Sequence, residues 1–287
     1  MPPDAGVPGQ EHSRILSGAA ARTVDPGALS TTPPVDSRVI TTADDLGLDS
    51  VVNAAIARGF DEGLITHSSL LVNLPGFEDA CQLVRARGLG ERIGLHLNFS
   101  QGQPLTEAIR RSSWCAGGRF VPPSRFGHYR WLSAADKAAA AAEARAQIAK
   151  ARSEGLAIRH LDSHNDVHTA PWLSEVVRAI AREHGIERIR PARTCGPHRG
   201  RVRWLQFRIF NRRLRKWGLL AVDHLGSADD VLYLAASRAP GRAYLAEIVL
   251  HPRLTSDGRL VDAPSMRPIR ELVDALAAHG LRVNGAL

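Results

Sequence analysis

At 287 residues the chain is long enough for one large domain, or two small ones, with a substantial core. Its 44% hydrophobic and 23% charged residues are ordinary for a globular protein, and apolar runs such as Leu70 to Leu74 or Ile248 to Leu250 are far too short to cross a bilayer. Three scattered cysteines without a CxxC pair argue against a disulfide framework or a thiolate zinc site, and a net charge of +8, mostly arginine in an Ala/Arg/Gly-rich chain, selects no partner by itself.

Residues 1–36 are rich in Pro, Gly, Ser, Thr and Ala without a sustained hydrophobic period, and are expected to be a disordered leader. No basic stretch followed by an apolar segment opens the chain, so a cytoplasmic protein is expected. From there strand-like and helix-like segments alternate. Arg38 to Asp45 reads as a strand ending in two carboxylates, and Asp49 as the N-cap of a helix over Ser50 to Glu62. A strand over Ser68 to Asn73 leads to a helix from about Phe77 to Arg87, then a strand over Arg92 to Phe99. A Gly/Pro-rich loop follows, to about Arg130. The alanine-rich segment Ala134 to Glu154, closed by Gly155, predicts a helix. Ile158 to Ser163 is a strand, Pro171 to His184 a helix and Ile186 to Arg190 a strand. After a basic amphipathic stretch come a strand near Leu245 to His251, a helix over Ile269 to His279 and a short strand over Leu281 to Asn284. The alternation predicts parallel βαβ units in a single α/β domain over 37–287, with the polar residues at the C-terminal ends of the strands, where a (β/α) barrel would build its site.

Four polar clusters fall at those ends: Asp44-Asp45, His96, His160 to His164, and Glu247 to His251. Neighbouring strand residues face opposite ways, so Asp44 and Asp45 can share a site only where the chain turns, at Leu46-Gly47. Two adjacent acids also suit a turn or a helix cap, and a lone strand histidine is more often a core residue than a ligand. Taken together, one carboxylate and two imidazoles from separate strands form a three-ligand metal set with open positions for water and substrate. The other acid can then take the proton from that water. Asp162 and Ser163 lie where they can fix imidazole orientation.

These motifs resemble the YdjC-like carbohydrate deacetylases, a family that takes in chito-oligosaccharide deacetylases and hopanoid-associated hydrolases. The matching segments are TADDLGL (Thr42 to Leu48), Ile65-Thr66 with Ser69 to Asn73, IGLHLNFSQGQPL (Ile93 to Leu105), HLDSHNDVHTAP (His160 to Pro171), HGIERIRPAR (His184 to Arg193) and EIVLHP (Glu247 to Pro252). They keep the family's order from about Val39 onward. The resemblance implies a distorted, TIM-barrel-like (β/α) fold and removal of an acetyl group from an N-acetylated amino sugar. It implies a divalent metal, Mg2+ by family habit and Zn2+ by donor type, held by Asp45, His96 and His164. Asp44 would be the base and His251 the acid that protonates the amine. Asn73, Asp162, Asp166, His168 and Arg190 would contact substrate or support the ligands, with Arg190 orienting Asp44 or meeting substrate. The family's SHxHxH motif reads Ser163-His164-Asn165-Asp166-Val167-His168 here, so Asp166 replaces a histidine. As a support it can accept an imidazole N–H; as a sugar contact it would alter specificity.

The segment from His198 to Trp217 carries Trp204, Phe207, Phe210, Leu214 and Trp217 at helical spacing among many arginines. This is the pattern of a helix's buried face, or else of a lid over the substrate groove or a contact with an anionic membrane surface. Two further functions stand beside the deacetylase: a metal-dependent hydrolase of another amide or ester, such as a hopanoid-associated or secondary-metabolite substrate, and a non-catalytic protein that binds anionic surfaces. No nucleic-acid module is recognisable, and the sequence does not specify an oligomeric state.

Overall fold

The computed structural model describes residues 37–122, 132–196, 200–237 and 242–284; the expected leader at 1–36 and part of the Gly/Pro-rich loop lie outside them. In chain order the strands are β1 (Arg38–Leu46), β2 (His67–Leu70), β3 (Ile93–Leu97), β4 (Cys115–Ala116), β5 (Arg119–Phe120), β6 (His160–Ser163), β7 (Arg188–Ile189), β8 (His224–Gly226), β9 (Leu245–Leu250), β10 (Pro252–Leu254), β11 (Leu260–Asp262), β12 (Arg267–Pro268) and β13 (Arg282–Val283). Seven of them form one parallel sheet in the order β7-β6-β3-β2-β1-β9-β8, with β13 paired to the start of β1. Its two edges meet. Ile189 bridges Leu220, and the amides of Thr194 and Cys195 donate to the Leu225 carbonyl. The sheet thus curls into the distorted (β/α) barrel expected from the family resemblance.

Local chemistry explains most boundaries. The Asp49 carboxylate accepts from the Val52 amide and starts the Ser50–Asp61 helix. Ser133 and Asp136 form a reciprocal capping box on the Ala134–Ser153 helix, and a proline opens the Pro171–Glu183 helix. The second strand ends at Leu70 rather than Asn73, because the Leu71 amide turns to the Leu46 carbonyl where β1 itself shifts register. The Gly/Pro-rich loop holds a Glu107–Arg110 helix and the β4–β5 hairpin. The basic stretch is a helix over Arg201–Trp217 that forms the crossover from β7 to β8; His198 lies outside the described residues. Strand β8, the Ala228–Ser237 helix and the three-stranded β10-β11-β12 sheet had no expectation in the sequence.

Alternation sorts the strands into two faces. Val39, Ala43, Leu70, Leu95, Leu161 and Ile248 are buried in the apolar layer. On the other face Asp44, Ser69, His96, Asp162 and Glu247, joined by Arg190 just past β7, turn into the barrel and meet one another. Gly94 belongs to that interior layer, where a side chain's Cβ would stand 2.0 Å from Nε2 of His160. Among the described residues no helix is long and apolar enough to cross a membrane.

Candidate metal centre

The site lies where β1, β3 and β6 end. Asp45 adopts φ +70, a left-handed backbone that an L residue seldom takes, inside the β1–β2 register shift between Ala43 and Leu46. This bulge turns Asp45 to the same side as Asp44, one residue before the turn expected at Leu46-Gly47. Gly47 completes the bend at φ +88, where a Cβ would lie 2.4 Å from the Leu71 carbonyl oxygen.

Donor atoms of Asp45, His96 and His164 lie within 4.8 Å of one another. Oδ1 of Asp45 is 3.4 Å from Nε2 of His96 and 2.9 Å from Nδ1 of His164. The opposite nitrogen of each ring is engaged. Nδ1 of His96 is 2.7 Å from Asp162 Oδ1, and Nε2 of His164 is 2.9 Å from Gln101 Oε1. With protons on those outer nitrogens, both inner ring nitrogens present lone pairs toward the Asp45 oxygen. That oxygen is buried and accepts no hydrogen bond. Three converging electron-pair donors without a donor among them fit a divalent cation. A second grouping, Asp44, His96 and Asp162, also lies within reach of one ion. There the carboxylates are already committed to Arg190, so the set around Asp45 fits better.

Arg190 braces the barrel interior. It donates to both oxygens of Asp44 at 2.8 and 2.9 Å and to Glu247 at 2.9 Å, and forms an ion pair with Asp162 Oδ2 at 2.7 Å, an oxygen that accepts no hydrogen bond. Ser69 donates to Asp44 at 3.1 Å. Burial disfavours ionised Asp162, but Arg190 and His96 outweigh it and hold the carboxyl below its usual range. Burial likewise raises Asp45, and the facing His164 and His96 more than reverse this. His96 shows the opposite balance: burial favours the neutral ring, yet Asp162 and Asp44 raise its pKa well above the usual value, so that without a cation the inner nitrogen holds a proton, and a bound cation would take that proton's place. For Glu247 burial wins over Arg190, and its pKa is raised.

The remaining predicted residues take distinct places. His251 is half-buried one residue past Leu250, whose register partner is Ala43, so it stands level with Asp44 on the rim. Its ring makes no hydrogen bond among the described residues; its amide donates to Asp262 and its carbonyl accepts from the Ala263 amide, both at 2.9 Å. His168 is buried, with Nδ1 2.6 Å from the Ser163 hydroxyl and Nε2 3.0 Å from the Arg190 carbonyl. It supports the strand ends and does not reach the donor cluster. Asn73 donates to the Gln103 carbonyl and accepts from Asn98, holding the loop that carries Gln101. Asp166 is exposed at φ +54 and its carboxylate accepts no imidazole N–H, since both His168 nitrogens are taken up elsewhere.

Sequence reasoning passed over Glu247 as a partner of Arg190, Gln101 on His164, and the Glu143–Gln147 clamp. Those two buried side chains bind Leu105, Thr106 and Asn98 of the Gln101 loop. A carboxylate inside the apolar run Leu245 to Leu250 was a legible signal for the first; the others had none.

A parallel barrel that gathers a carboxylate and two imidazoles at its C-terminal rim, beside a second carboxylate braced by arginine, defines a barrel protein with a buried donor cluster that could hold a metal ion. The chain belongs to the YdjC-like protein family, whose profile matches residues 38–275. It is 35% identical over 160 residues to a protein named carbohydrate deacetylase from Vibrio vulnificus, covering 55% of this chain and 59% of that one. Against a protein of the same name from Brevibacillus brevis it is 33% identical over 150 residues, covering 52% and 57%. The matches therefore span less than two thirds of these relatives. A crystal structure from Enterococcus faecalis V583, of a protein named for cellobiose-phosphate cleavage, shares the fold with a TM-score of 0.65 at 20% identity, covering 87% of this chain and 97% of that one.

Proposed function

We propose that the protein is a metal-dependent deacetylase that hydrolyses the N-acetyl group of an amino sugar or related glycoconjugate. The reading rests on one observation above all: a buried carboxylate oxygen without a hydrogen bond, facing two imidazole nitrogens, beside a separately held carboxylate. Asp45, His96 and His164 would hold the divalent cation, which when bound would supply Lewis acidity. Magnesium follows from the family resemblance; the two imidazoles suit zinc as well.

Asp44 is the base. Arg190 and Ser69 fix its carboxylate, and Oδ2 lies 3.9 Å from Nε2 of His96, at the edge of the cluster. It accepts the proton of the attacking water. Asp162 holds the His96 ring and Gln101 the His164 ring, so neither ligand rotates during turnover. His251, level with Asp44 at the end of the neighbouring strand and with a ring not committed to a hydrogen bond, donates the proton that the departing amine requires. Asp166, exposed at the mouth, is placed to meet a sugar rather than a ligand.

The test pairs metal analysis of the purified protein with acetate release from a panel of N-acetylated saccharides. Asp45→Ala and His164→Ala lose both metal and activity. Asp44→Asn keeps its metal and loses about 10²–10⁴-fold in rate. Retention of metal and activity in the first two variants overturns the reading.

A further inference from the structure

The Arg201–Trp217 helix has two faces that answer to different surroundings. Phe210 and Leu214 are buried, and Phe207 and Trp217 pack against the same core. On the far side Val202, Leu205 and Ile209, at i, i+3 and i+7, are 61%, 52% and 44% exposed. Trp204, 37% exposed, lies on another flank of the helix, with the Arg208 guanidinium 4.5 Å over its ring. Seven of the seventeen residues are Arg or Lys and none is acidic, in a chain whose whole net charge is +8. Arg201, Arg208, Arg212, Arg215 and Lys216 flank the apolar ridge and meet no carboxylate among the described residues. An exposed apolar ridge bordered by unpaired cations is the composition of a helix that lies in a lipid interface.

Its position strengthens the case. Asn211 clamps the helix to the rim by accepting from the Ala192 amide and donating to the Ala192 carbonyl, at 2.8 and 2.9 Å. The His168 ring packs on Phe210 at 5.6 Å between centroids. At ~1.5 Å rise per residue, the half from Arg201 to Asn211 runs about 15 Å beyond that clamp. All three residues of the ridge lie in this half. They point away from the buried face, and so away from the barrel, which is the wrong direction for a lid.

We infer that this helix docks the protein on an anionic lipid bilayer, with Val202, Leu205 and Ile209 entering the headgroup region and the arginines meeting lipid phosphates. Docking by this half brings the rim that carries the candidate metal centre close to the membrane surface. Binding needs no substrate, so its failure leaves the deacetylase reading intact, and the reverse holds too.

The experiment is cosedimentation of the full chain with phosphatidylcholine vesicles, with and without phosphatidylglycerol, at low and high salt. Binding is expected on phosphatidylglycerol vesicles alone and falls with salt. Arg208→Gln, Arg212→Gln and Arg215→Gln together weaken it about 100-fold, at roughly fivefold for each charge near an anionic surface. Leu205→Ser with Ile209→Ser weakens it while every charge remains; circular dichroism checks that these exposed changes leave the fold unaltered. Absence of binding to phosphatidylglycerol vesicles at low salt overturns the inference, as does equal binding to neutral vesicles. So does tighter binding to duplex DNA that survives the Leu205 and Ile209 changes, which would assign the charge to nucleic acid.

Discussion

Replacing Arg190 by methionine removes the guanidinium that Asp44, Asp162 and Glu247 share inside the barrel. Arg190 is 5% exposed, and its nitrogens lie 2.7 to 2.9 Å from oxygens of the three carboxylates. Without it, the least costly relief is to protonate one acid. Burial already raises Glu247 in spite of Arg190, so Glu247 takes the proton first. Keeping a group of ordinary pKa about 4 neutral at pH 7 costs about 4 kcal/mol, within the ~3–5 kcal/mol typical of breaking a buried ion pair. In the variant the folded pKa of Glu247 lies above its unfolded value. The folded state then holds the extra proton, and stability is lost as pH rises. The destabilisation therefore shrinks to about 1 kcal/mol at pH 5. Urea unfolding of metal-free protein, followed by circular dichroism at both pH values, measures this. Subtracting the wild type at each pH removes titrations common to the two proteins. Adding Glu247→Gln to the variant restores much of the loss at pH 7. A loss below about 1 kcal/mol at pH 7, or one as large at pH 5, refutes the reasoning.

Asp162→Asn keeps an oxygen for the Nδ1–H of His96 but removes the charge that faces both His96 and Arg190. Metal affinity should fall about 10–100-fold with the fold retained, read by competition with a chelator; unchanged affinity would mean that packing alone orients His96. His67 and His160, edge to face at 6.1 Å, titrate at about 3 and about 4, chiefly because burial disfavours their charged forms. The unfolded rings protonate near 6.5, so stability is full above that value and falls by about 2 kcal/mol for each histidine by pH 5. His67→Gln should flatten wild-type unfolding stability between pH 7 and 5, and an unaltered slope would place the acid sensitivity elsewhere.

Much of the candidate site could be read because its residues sit at strand ends in short, dense motifs. The acids of β1, His96 in β3 and His164 beyond β6 were placed by alternation and by the family resemblance, and the barrel brings their donor atoms together. The Asp49 cap and the capping box at Ser133 are local, and local signals survive in a sequence. Short strands such as β8, and the β10-β11-β12 sheet, left no comparable trace, since two or three residues establish no period.

Alternation along a strand told which residues face inward, but pairing between strands lies outside any local pattern. Arg190 and Glu247, 57 residues apart, meet only because the curled sheet turns β7 and β9 toward one interior. Gln101 reaches His164 only because Glu143 and Gln147 hold its loop. The same holds for the basic helix: its spacing announced an apolar stripe, while tertiary packing covered Phe210 and Leu214 and left Val202, Leu205 and Ile209 in the open. Sequence determined which side chains this protein has for its chemistry and which way each strand turns them. Barrel closure decided which of them touch, because contact between distant residues depends on strand order and register.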